Sequence, residues 1–214
     1  MATNPTGPGP ASIVERAKNI IVQPKSEWPR IDAEPATIAD IYKSYVVILA
    51  AIGPVAGAVG LLVFGFHVLG ISYRPSVQYI VVSAIIQYLL SLVSVYVLAL
   101  IIDGLAPSFG GTKDKLKAFK VAAYCFTPAW LAGAFGIVPA LAWLSILGLY
   151  SLYLLYLGLP VLMKAPADKT VGYAVVSILA AIVLWAVVAM IAGSIVAAFV
   201  GLPGPGSLSV TMPG

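Results

Sequence analysis

Residues 121–163 read VAAYCFTPAWLAGAFGIVPALAWLSILGLYSLYLLYLGLPVLM, a run of 43 residues without a single charge that is flanked by lysines on both sides. A membrane-spanning helix needs about 20 apolar residues at about 1.5 Å each, so one helix of this length would be about twice as long as the hydrocarbon layer is thick. The run must therefore fold back on itself. The turn is predicted where Gly133, Gly136 and Pro139 lie close together in the chain.

The rest of the chain has the same apolar character. Of its 214 residues, 61% are hydrophobic and 9% are charged, whereas a soluble domain carries about 25% charged residues. A charge at the centre of a membrane helix costs about 2.5 to 3.5 kcal/mol, so charged residues mark the ends of spans. The uncharged intervals predict an all-α, polytopic membrane bundle with five transmembrane helices: Ser44–Phe66, Val77–Ile102, Phe119–Ile137, Ala140–Met163 and Val171–Val200.

The orientation of the bundle follows from its lysine and arginine residues. The segment before the first span holds five of them, and the segments after the successive spans hold one, four, none, two and none. The count of four includes Lys120, which lies at the very start of the third span. Cytoplasmic segments are the ones enriched in these residues, so we predict a cytoplasmic N-terminus and an exoplasmic C-terminus. The chain then divides into a disordered lead (1–10), a cytoplasmic segment (11–43), the membrane domain (44–200) and a disordered exoplasmic tail (201–214).

The cytoplasmic segment contains a predicted amphipathic helix at Ala11–Val22, with apolar residues along one face. This helix either lies on the cytoplasmic leaflet or packs against the ends of the bundle, and the pattern favours neither. Trp28 and Tyr42 are predicted to anchor at the membrane interface. Three prolines are expected to keep the chain after the helix irregular: Pro24, Pro29 and Pro35.

No catalytic, cofactor or metal site is predicted. The interiors of the predicted spans lack Asp, Glu, Lys and Arg, which intramembrane enzymes and ion-coupled transporters use. No nucleophile, zinc-protease, Walker-loop or dinucleotide motif occurs. One cysteine and one histidine do not supply a set of metal ligands, and His67 is interpreted as an interfacial residue. Nucleic acid is also excluded as a partner, because no basic run interleaved with aromatic residues is present.

Polar groups within the spans offer two interpretations. Gln87 lies deep in the second span, and Tyr150, Tyr153 and Tyr156 follow one another at a spacing of three in the fourth. Interhelical hydrogen bonds explain these residues adequately. The alternative is a substrate path lined by Gln87 and the tyrosines, since binding pockets combine apolar walls with a few polar groups.

Small residues form two stripes that predict close helix packing. Gly53 and Gly57 make a GxxxG motif in the first span, and Ala189, Gly193 and Ala197 repeat the spacing in the last. Small residues let helix backbones approach closely in lipid, where apolar surface alone gives no preference for protein over lipid. The stripes are interpreted as contacts within the chain, with a contact between two copies as the alternative.

Charged residues next to the spans are the candidates for the cytoplasmic face. Lys113, Lys117 and Lys120 share one helical stripe, and their side chains are predicted to reach the headgroups. Asp103, at the cytoplasmic end of the second span, is interpreted as a solvated or helix-capping residue, with a functional role as the alternative.

Four segments carry a resemblance to a known family: EWPRI with Glu34-Pro35 (residues 27–35), IIDGLAPSFGG (101–111), YCFTPAW (124–130) and YSLYLLYLGLPVLM (150–163). In this order they resemble the bacterial branch of the Yip (Ypt-interacting protein) domain family over residues 11–200. The resemblance implies a polytopic membrane protein without known catalytic residues, whose eukaryotic relatives associate with Rab-type GTPases and with each other. No counterpart of their Asp-Leu-Tyr-Gly-Pro motif stands near Asp103, so only the architecture is carried over.

These observations predict a non-enzymatic membrane adaptor or assembly and trafficking-type factor in a bacterial inner membrane. Its cytoplasmic segments (1–43, 103–120 and 164–170) would face a partner, which is either a second copy or another membrane or cytoplasmic protein, and its apolar spans would contact the lipid bilayer. The alternative function is a transporter, channel or lipid-handling protein with a kinked, Tyr-lined interior. Prolines predicted to kink the spans favour this alternative: Pro54, Pro128 and Pro160.

Overall fold

A computed structural model of the chain describes residues 12–68, 71–200 and 208–210. The predicted disordered lead and most of the predicted tail lie outside these residues. The α-helices are α1 (Ile13–Val22), α2 (Pro24–Ala33), α3 (Ile38–Ile41), α4 (Val47–Ala50), α5 (Ile52–Val63), α6 (Val77–Leu105), α7 (Lys115–Cys125), α8 (Thr127–Ala132), α9 (Tyr150–Leu162) and α10 (Ala167–Val200). A π-helical turn (Tyr42–Val46) and three 3₁₀ segments (Ala106–Phe109, Gly133–Ile137 and Pro139–Leu149) connect them.

Among the described residues, four helical stretches are long and apolar enough to cross a membrane: Ile38–Val63, Val77–Phe109, Pro139–Leu162 and Ala167–Phe199. They correspond to the first, second, fourth and fifth predicted spans. The first stretch begins six residues before the predicted Ser44, because the Thr37 and Asp40 side chains each accept a hydrogen bond from the other residue's backbone N–H and so cap α3. The second ends at Phe109 and is followed by Gly110, whose φ of 71° suits a residue without a β-carbon.

The third predicted span, Phe119–Ile137, is not among these four. It is divided into α7, α8 and a 3₁₀ segment, with a break at Phe126. The break lies two residues before Pro128, which has no N–H to donate to the Tyr124 carbonyl one turn earlier. The Thr127 hydroxyl donates to that carbonyl instead, at 2.8 Å, and lies 2.8 Å from the Tyr45 hydroxyl.

The chain reverses direction at Val138, within the stretch for which a fold-back is predicted. Val138 is extended and separates two 3₁₀ segments, and beyond it Gly148 packs against Ala129. Before the reversal, Gly133 and Gly136 approach Gly53 and Gly57 of α5 backbone to backbone. The order of these contacts makes the 3₁₀ segment Gly133–Ile137 run parallel to α5.

Three short strands form a small antiparallel sheet at the far end of α5 and α6. β1 (Phe66–Val68) pairs with β2 (Ile71–Tyr73), and β2 pairs with β3 (Leu208–Val210). Phe66, the predicted last residue of the first span, therefore belongs to a strand, and three residues of the predicted disordered tail are paired. We call this side of the molecule the hairpin end.

The core is concentrated at the opposite side, around α7. Every residue of α7 from Ala118 to Cys125 is buried, between α6 on one side and α9 on the other. The two N-terminal helices close this core from outside the span region. We call α1 and α2 together the N-terminal cap, and this side of the molecule the cap end.

Candidate functional site

The N-terminal cap is docked onto the bundle through apolar contacts. In α1 Ala17 and Ile20 are buried, and the backbone carbonyl of Ile21 accepts a hydrogen bond of 3.0 Å from Tyr150. The sequence left open whether this helix lies on the leaflet or packs against the bundle, and the structure has it packed. The segment after it is helical rather than irregular over α2, because Pro24 occupies the first turn of the helix, where no N–H is needed, and Pro29 is accommodated within it. Residues 34–37, around Pro35, are irregular as predicted.

Trp28 packs the N-terminal cap against the bundle. Its side chain is fully buried against Gly158 of α9, where an added β-carbon would lie 2.9 Å from the indole ring. The prediction that Trp28 anchors at the membrane interface is therefore wrong. A glycine leaves the space that the indole fills, so the pair fixes α2 on α9. Tyr42, the second predicted anchor, is half-buried and donates its hydroxyl to the Leu92 carbonyl.

Beneath the cap, Arg16 lies in a buried ion-pair cluster. Its guanidinium, in a residue that is 3% exposed, pairs with the carboxylates of Glu27 and Glu34. It also lies 5.6 Å from the centre of the Tyr124 ring, within the range of a cation–π interaction. Two carboxylates around one planar guanidinium satisfy charges that would otherwise be costly to bury.

Lys120 belongs to the same buried layer. Its ammonium group donates to the Ile31 carbonyl at 2.7 Å and to the Glu34 carbonyl at 2.6 Å. Ile31 lies in the last turn of α2, and Glu34 is the residue that follows the helix. Lys120 therefore caps the C-terminal end of α2. The predicted position of this side chain at the headgroups is therefore not observed, since the cap covers it.

Asp32 connects the cap to two other segments. Its carboxylate pairs with Lys117 and with Lys164, each at 2.8 Å. Partial burial raises the pKa of the Asp32 carboxyl, but the hydrogen bonds and positive charges of the two lysines outweigh burial, and the pKa lies below its ordinary value. A backbone hydrogen bond of 2.7 Å from Thr112 to Met163 joins the same two segments.

The two remaining candidates for the cytoplasmic face differ in exposure. Lys113 is exposed, whereas Asp103 is buried. Asp103 Oδ1 has no hydrogen-bond partner among the residues that the structure describes, so this oxygen caps no helix end there. Beside it, Tyr173 of α10 donates its hydroxyl to the Ile102 carbonyl at 2.5 Å and stacks on Phe109.

Gln87 does not lie beside the tyrosines, although the rings of Tyr150 and Tyr153 pack together with their centres 5.4 Å apart. Tyr150 bonds the N-terminal cap, while Tyr153 and Tyr156 are 42% and 39% exposed on the outer surface of α9. Gln87 lines a separate cavity on α6. A substrate path lined by all four residues is therefore absent from the part of the chain that the structure covers.

The cavity beside Gln87 is a half-open groove of about 930 Å³. Its walls are α6 from Tyr79 to Val95 and α10 from Ala181 to Ala197, with α5, α8 and the adjoining 3₁₀ segments opposite. Three serines on the α6 wall, Ser83, Ser91 and Ser94, donate their hydroxyls to carbonyls of their own helix. We call this cavity the intramembrane groove.

The two small-residue stripes have different surroundings. Gly53 and Gly57 face Gly133 and Gly136 across a close backbone contact within the chain. Ala189, Gly193 and Ala197 instead line the intramembrane groove, and a β-carbon added at Gly193 would meet nothing within 4 Å. One stripe is thus packed inside the chain, whereas the other is left open.

Sequence reasoning missed four charged residues as structural determinants: the buried Arg16 and Glu27 and the partly buried Asp32 and Glu34. A signal was available: acidic residues gather at 27–34, directly before the first span, while lysines gather at the ends of the other spans. Within the described ranges, no group of three or more His, Cys, Asp or Glu residues could hold a metal ion.

A family model for the Yip1 domain matches residues 18–190. The chain belongs to the Yip1 domain family. The match begins within α1 and ends within α10, so that it includes most of the N-terminal cap and most of the intramembrane groove of this Yip1 domain protein. No curated protein and no solved structure matches the chain. With its four long apolar helices, this Yip1 domain protein is an integral membrane protein.

Proposed function

We propose that this Yip1 domain protein is a non-enzymatic membrane adaptor, an assembly or trafficking-type factor that presents its cap end to a protein partner in the cytoplasm. The observation that carries the proposal is the ion pairing of Asp32 with Lys117 and Lys164. These three residues belong to the three chain segments with the highest density of charge. Together they supply one continuous, structured surface at the end of the bundle.

The composition of this surface supports binding to a protein rather than catalysis. The charged groups on its inner side are already paired with each other, as Arg16 is with Glu27 and Glu34. The exposed lysines around them remain available to a partner: Lys18, Lys25, Lys43, Lys113, Lys115 and Lys169. A rigid face with exposed charges at its rim favours specific and rapid association.

We also propose five crossings, with the cap end in the cytoplasm of a bacterial cell and the C-terminus on the exoplasmic side of its inner membrane. The parallel course of Gly133–Ile137 beside α5 supports a third, broken crossing formed by α7, α8 and that 3₁₀ segment. Non-helical backbone at membrane depth is tolerated where protein covers it. At the break between the two helices, residues 118–125 on one side and Thr127 and Pro128 on the other are buried, which is consistent with this requirement.

Labelling with a membrane-impermeant thiol reagent tests the orientation. The native Cys125 is buried, so that it gives little background. Cysteines introduced by Lys25→Cys and Lys113→Cys are expected to react from the cytoplasmic side only, and one introduced by Arg74→Cys from the exoplasmic side only. Labelling of all three from one side would refute the proposed topology.

Site-specific photocrosslinking in native membranes tests the adaptor role. A photoreactive amino acid at Lys25 or at Lys113 is expected to capture the same protein, since both positions lie on the cap-end surface. The matched control places the amino acid at Arg74, where that protein should not be captured. Failure to capture one common protein from the two cap-end positions would count against the adaptor role.

A further inference from the structure

We propose that the intramembrane groove is a binding site for a glycerophospholipid from the leaflet at the hairpin end. In this arrangement the acyl chains lie between α6 and α10, and the phosphate lies near Arg74. The inference is independent of the adaptor role. It rests on the size, the depth, the wall chemistry and the charge of the groove.

The intramembrane groove is large and deep. A volume of about 930 Å³ falls in the range of about 300 to 1,000 Å³ that is usual for ligand pockets. The lining runs from Tyr79 to Val95 on α6, which corresponds to about 24 Å of helix axis at about 1.5 Å per residue. This distance covers most of a hydrocarbon layer of about 30 Å. The groove therefore suits a long, thin occupant.

The chemistry of the walls favours an acyl chain. The hydroxyls of Ser83, Ser91 and Ser94 are already bonded to carbonyls of their own helix, so they offer little to a polar ligand. On the α10 wall, Ala189, Gly193 and Ala197 present only small apolar surface. A void in this place would forfeit dispersion contacts along its whole lining.

The rim of the groove admits lipid from the bilayer. Trp185 of α10 lines the groove and is 72% exposed, and its neighbours on the outer face of the helix are exposed apolar residues such as Ile182 and Val183. Lipid is the surrounding solvent at this depth, so acyl chains are the molecules with direct access to the opening.

Charge at the hairpin end supplies the headgroup contact. Arg74 is exposed and precedes α6 by three residues, and Tyr79 lines the groove two residues into that helix. Arg74 is the only lysine or arginine between Lys43 and Lys113 in the sequence. Every glycerophospholipid carries a negative phosphate at the membrane interface, and arginine binds phosphate through a bidentate pair of hydrogen bonds.

The experiment uses the full chain reconstituted in phosphatidylethanolamine and phosphatidylglycerol vesicles that contain a phosphatidylethanolamine with a diazirine near one chain end. Crosslinked peptides are identified by mass spectrometry. Filling the groove with Ala189→Leu and Ala197→Leu is expected to lower labelling of the α6 and α10 lining several-fold. The matched control is Ala186→Leu with Ala198→Leu, two exposed alanines of the same helix outside the groove, and should label like the wild type.

Two further variants define the occupant. Arg74→Gln is expected to lower labelling by the phospholipid probe but not by a diacylglycerol probe with the same chains. Gln87→Leu is expected to retain or increase labelling, because it removes a polar group from the wall. Loss of labelling in Gln87→Leu would overturn the assignment by showing that the amide binds the occupant.

Equal labelling of the filled and control variants would overturn the proposal, and so would an equal effect of Arg74→Gln on both probes. Reaction of Ala189→Cys with a water-soluble thiol reagent would also overturn it, because it would indicate a water-filled groove. Thermal unfolding of each variant in detergent verifies that it is folded. None of these measurements depends on capture of a protein partner, so failure of the lipid proposal and failure of the adaptor role are distinguishable.

Discussion

Two glycines summarise the difference between the cap end and the intramembrane groove. Gly158 of α9 leaves a space that Trp28 fills, so that an added β-carbon would lie 2.9 Å from the indole ring, whereas one added at Gly193 of α10 would meet nothing within 4 Å. Both glycines belong to apolar helices of similar composition. A small residue on a membrane helix therefore creates a packed contact only where another element supplies the matching bulk.

Charge explains why that bulk is present at the cap end. Asp32 and the Ile31 carbonyl pair with Lys117 and Lys120 from a distant part of the chain, and these interactions hold α2 over the core. Arg16 joins α1 to α2 within the cap. The α10 wall of the groove has no charged residue between Lys169 and the end of the helix. Nothing there directs a second element of the protein onto the wall, and lipid is left as the neighbour.

The largest expected effect separates the paired charges of the cap from its exposed charges. Arg16→Met leaves Glu27 and Glu34 buried without a cation and is expected to lower the free energy of unfolding by about 3 to 5 kcal/mol. Arg30→Met is the control, because Arg30 pairs with Glu15 at 3.6 Å near the surface and such pairs contribute about 0 to 1 kcal/mol. Chemical denaturation in mixed micelles gives both values, and equal losses would contradict the distinction.

The glycine comparison is tested directly by substitution with alanine. In Gly133→Ala the new β-carbon would lie 2.7 Å from the Gly53 α-carbon, so overpacking is expected to cost about 1 to 3 kcal/mol. Gly193→Ala adds the same methyl group to open space and should stabilise the helix by up to about 1 kcal/mol. Opposite signs in thermal unfolding would support the comparison. A similar loss in both variants would show that the groove is closed.

A smaller effect is expected at the break between α7 and α8. Thr127→Val removes the hydroxyl that bonds the Tyr124 carbonyl and the Tyr45 hydroxyl, at nearly constant volume, and should cost about 1 kcal/mol. Thr170→Val removes a hydroxyl that bonds a carbonyl four residues earlier at the start of α10 and serves as the control. Hydrogen exchange of the α7 amides should accelerate only in the Thr127 variant. Unchanged exchange would show that the Thr127 hydroxyl does not stabilise the broken helix.

The smallest expected effect is the pH dependence of cap docking. The pKa of Asp32 is lowered in the folded state, so its ion pairs stabilise the fold above the ordinary carboxyl pKa of about 3.9 and are lost as the pH falls through the lowered value. Because the pairs are partly exposed, the effect should be below about 1 kcal/mol. Asp32→Asn should reduce thermal stability at pH 7 but not at a pH below the lowered pKa of Asp32, where the carboxyl is protonated in both states. An equal difference at both pH values would contradict this assignment.

The positions of charged residues predicted the long helices because a charge inside lipid is costly wherever the chain folds. The fold-back could be predicted for the same reason, together with the local effect of Gly136 and Pro139. Burial of Trp28 and Lys120 could not, since each depends on a partner more than 80 residues away in sequence, such as Gly158 for Trp28 and the Ile31 carbonyl for Lys120. The local sequence pattern around a tryptophan is the same whether it lies at the membrane interface or is buried, and the same holds for a lysine at the headgroups and a buried one.

The groove was equally inaccessible from sequence. Its stripe of Ala189, Gly193 and Ala197 has the same spacing as the Gly53 and Gly57 pair, yet only the latter is packed within the chain. Spacing shows that a backbone can be approached closely, but it does not show which element approaches. Gln87 was identified as unusual, and the structure gives its neighbours, which are not the tyrosines of α9.

The hydrogen bond from Tyr150 to the Ile21 carbonyl joins residues 129 positions apart. During synthesis α1 and α2 leave the ribosome well before α9, which carries Tyr150 and Gly158. Until α9 has been made, Trp28 has no glycine to pack against and the Ile21 carbonyl has no tyrosine hydroxyl to accept from. The N-terminal cap can therefore dock fully only after α9 has been synthesised.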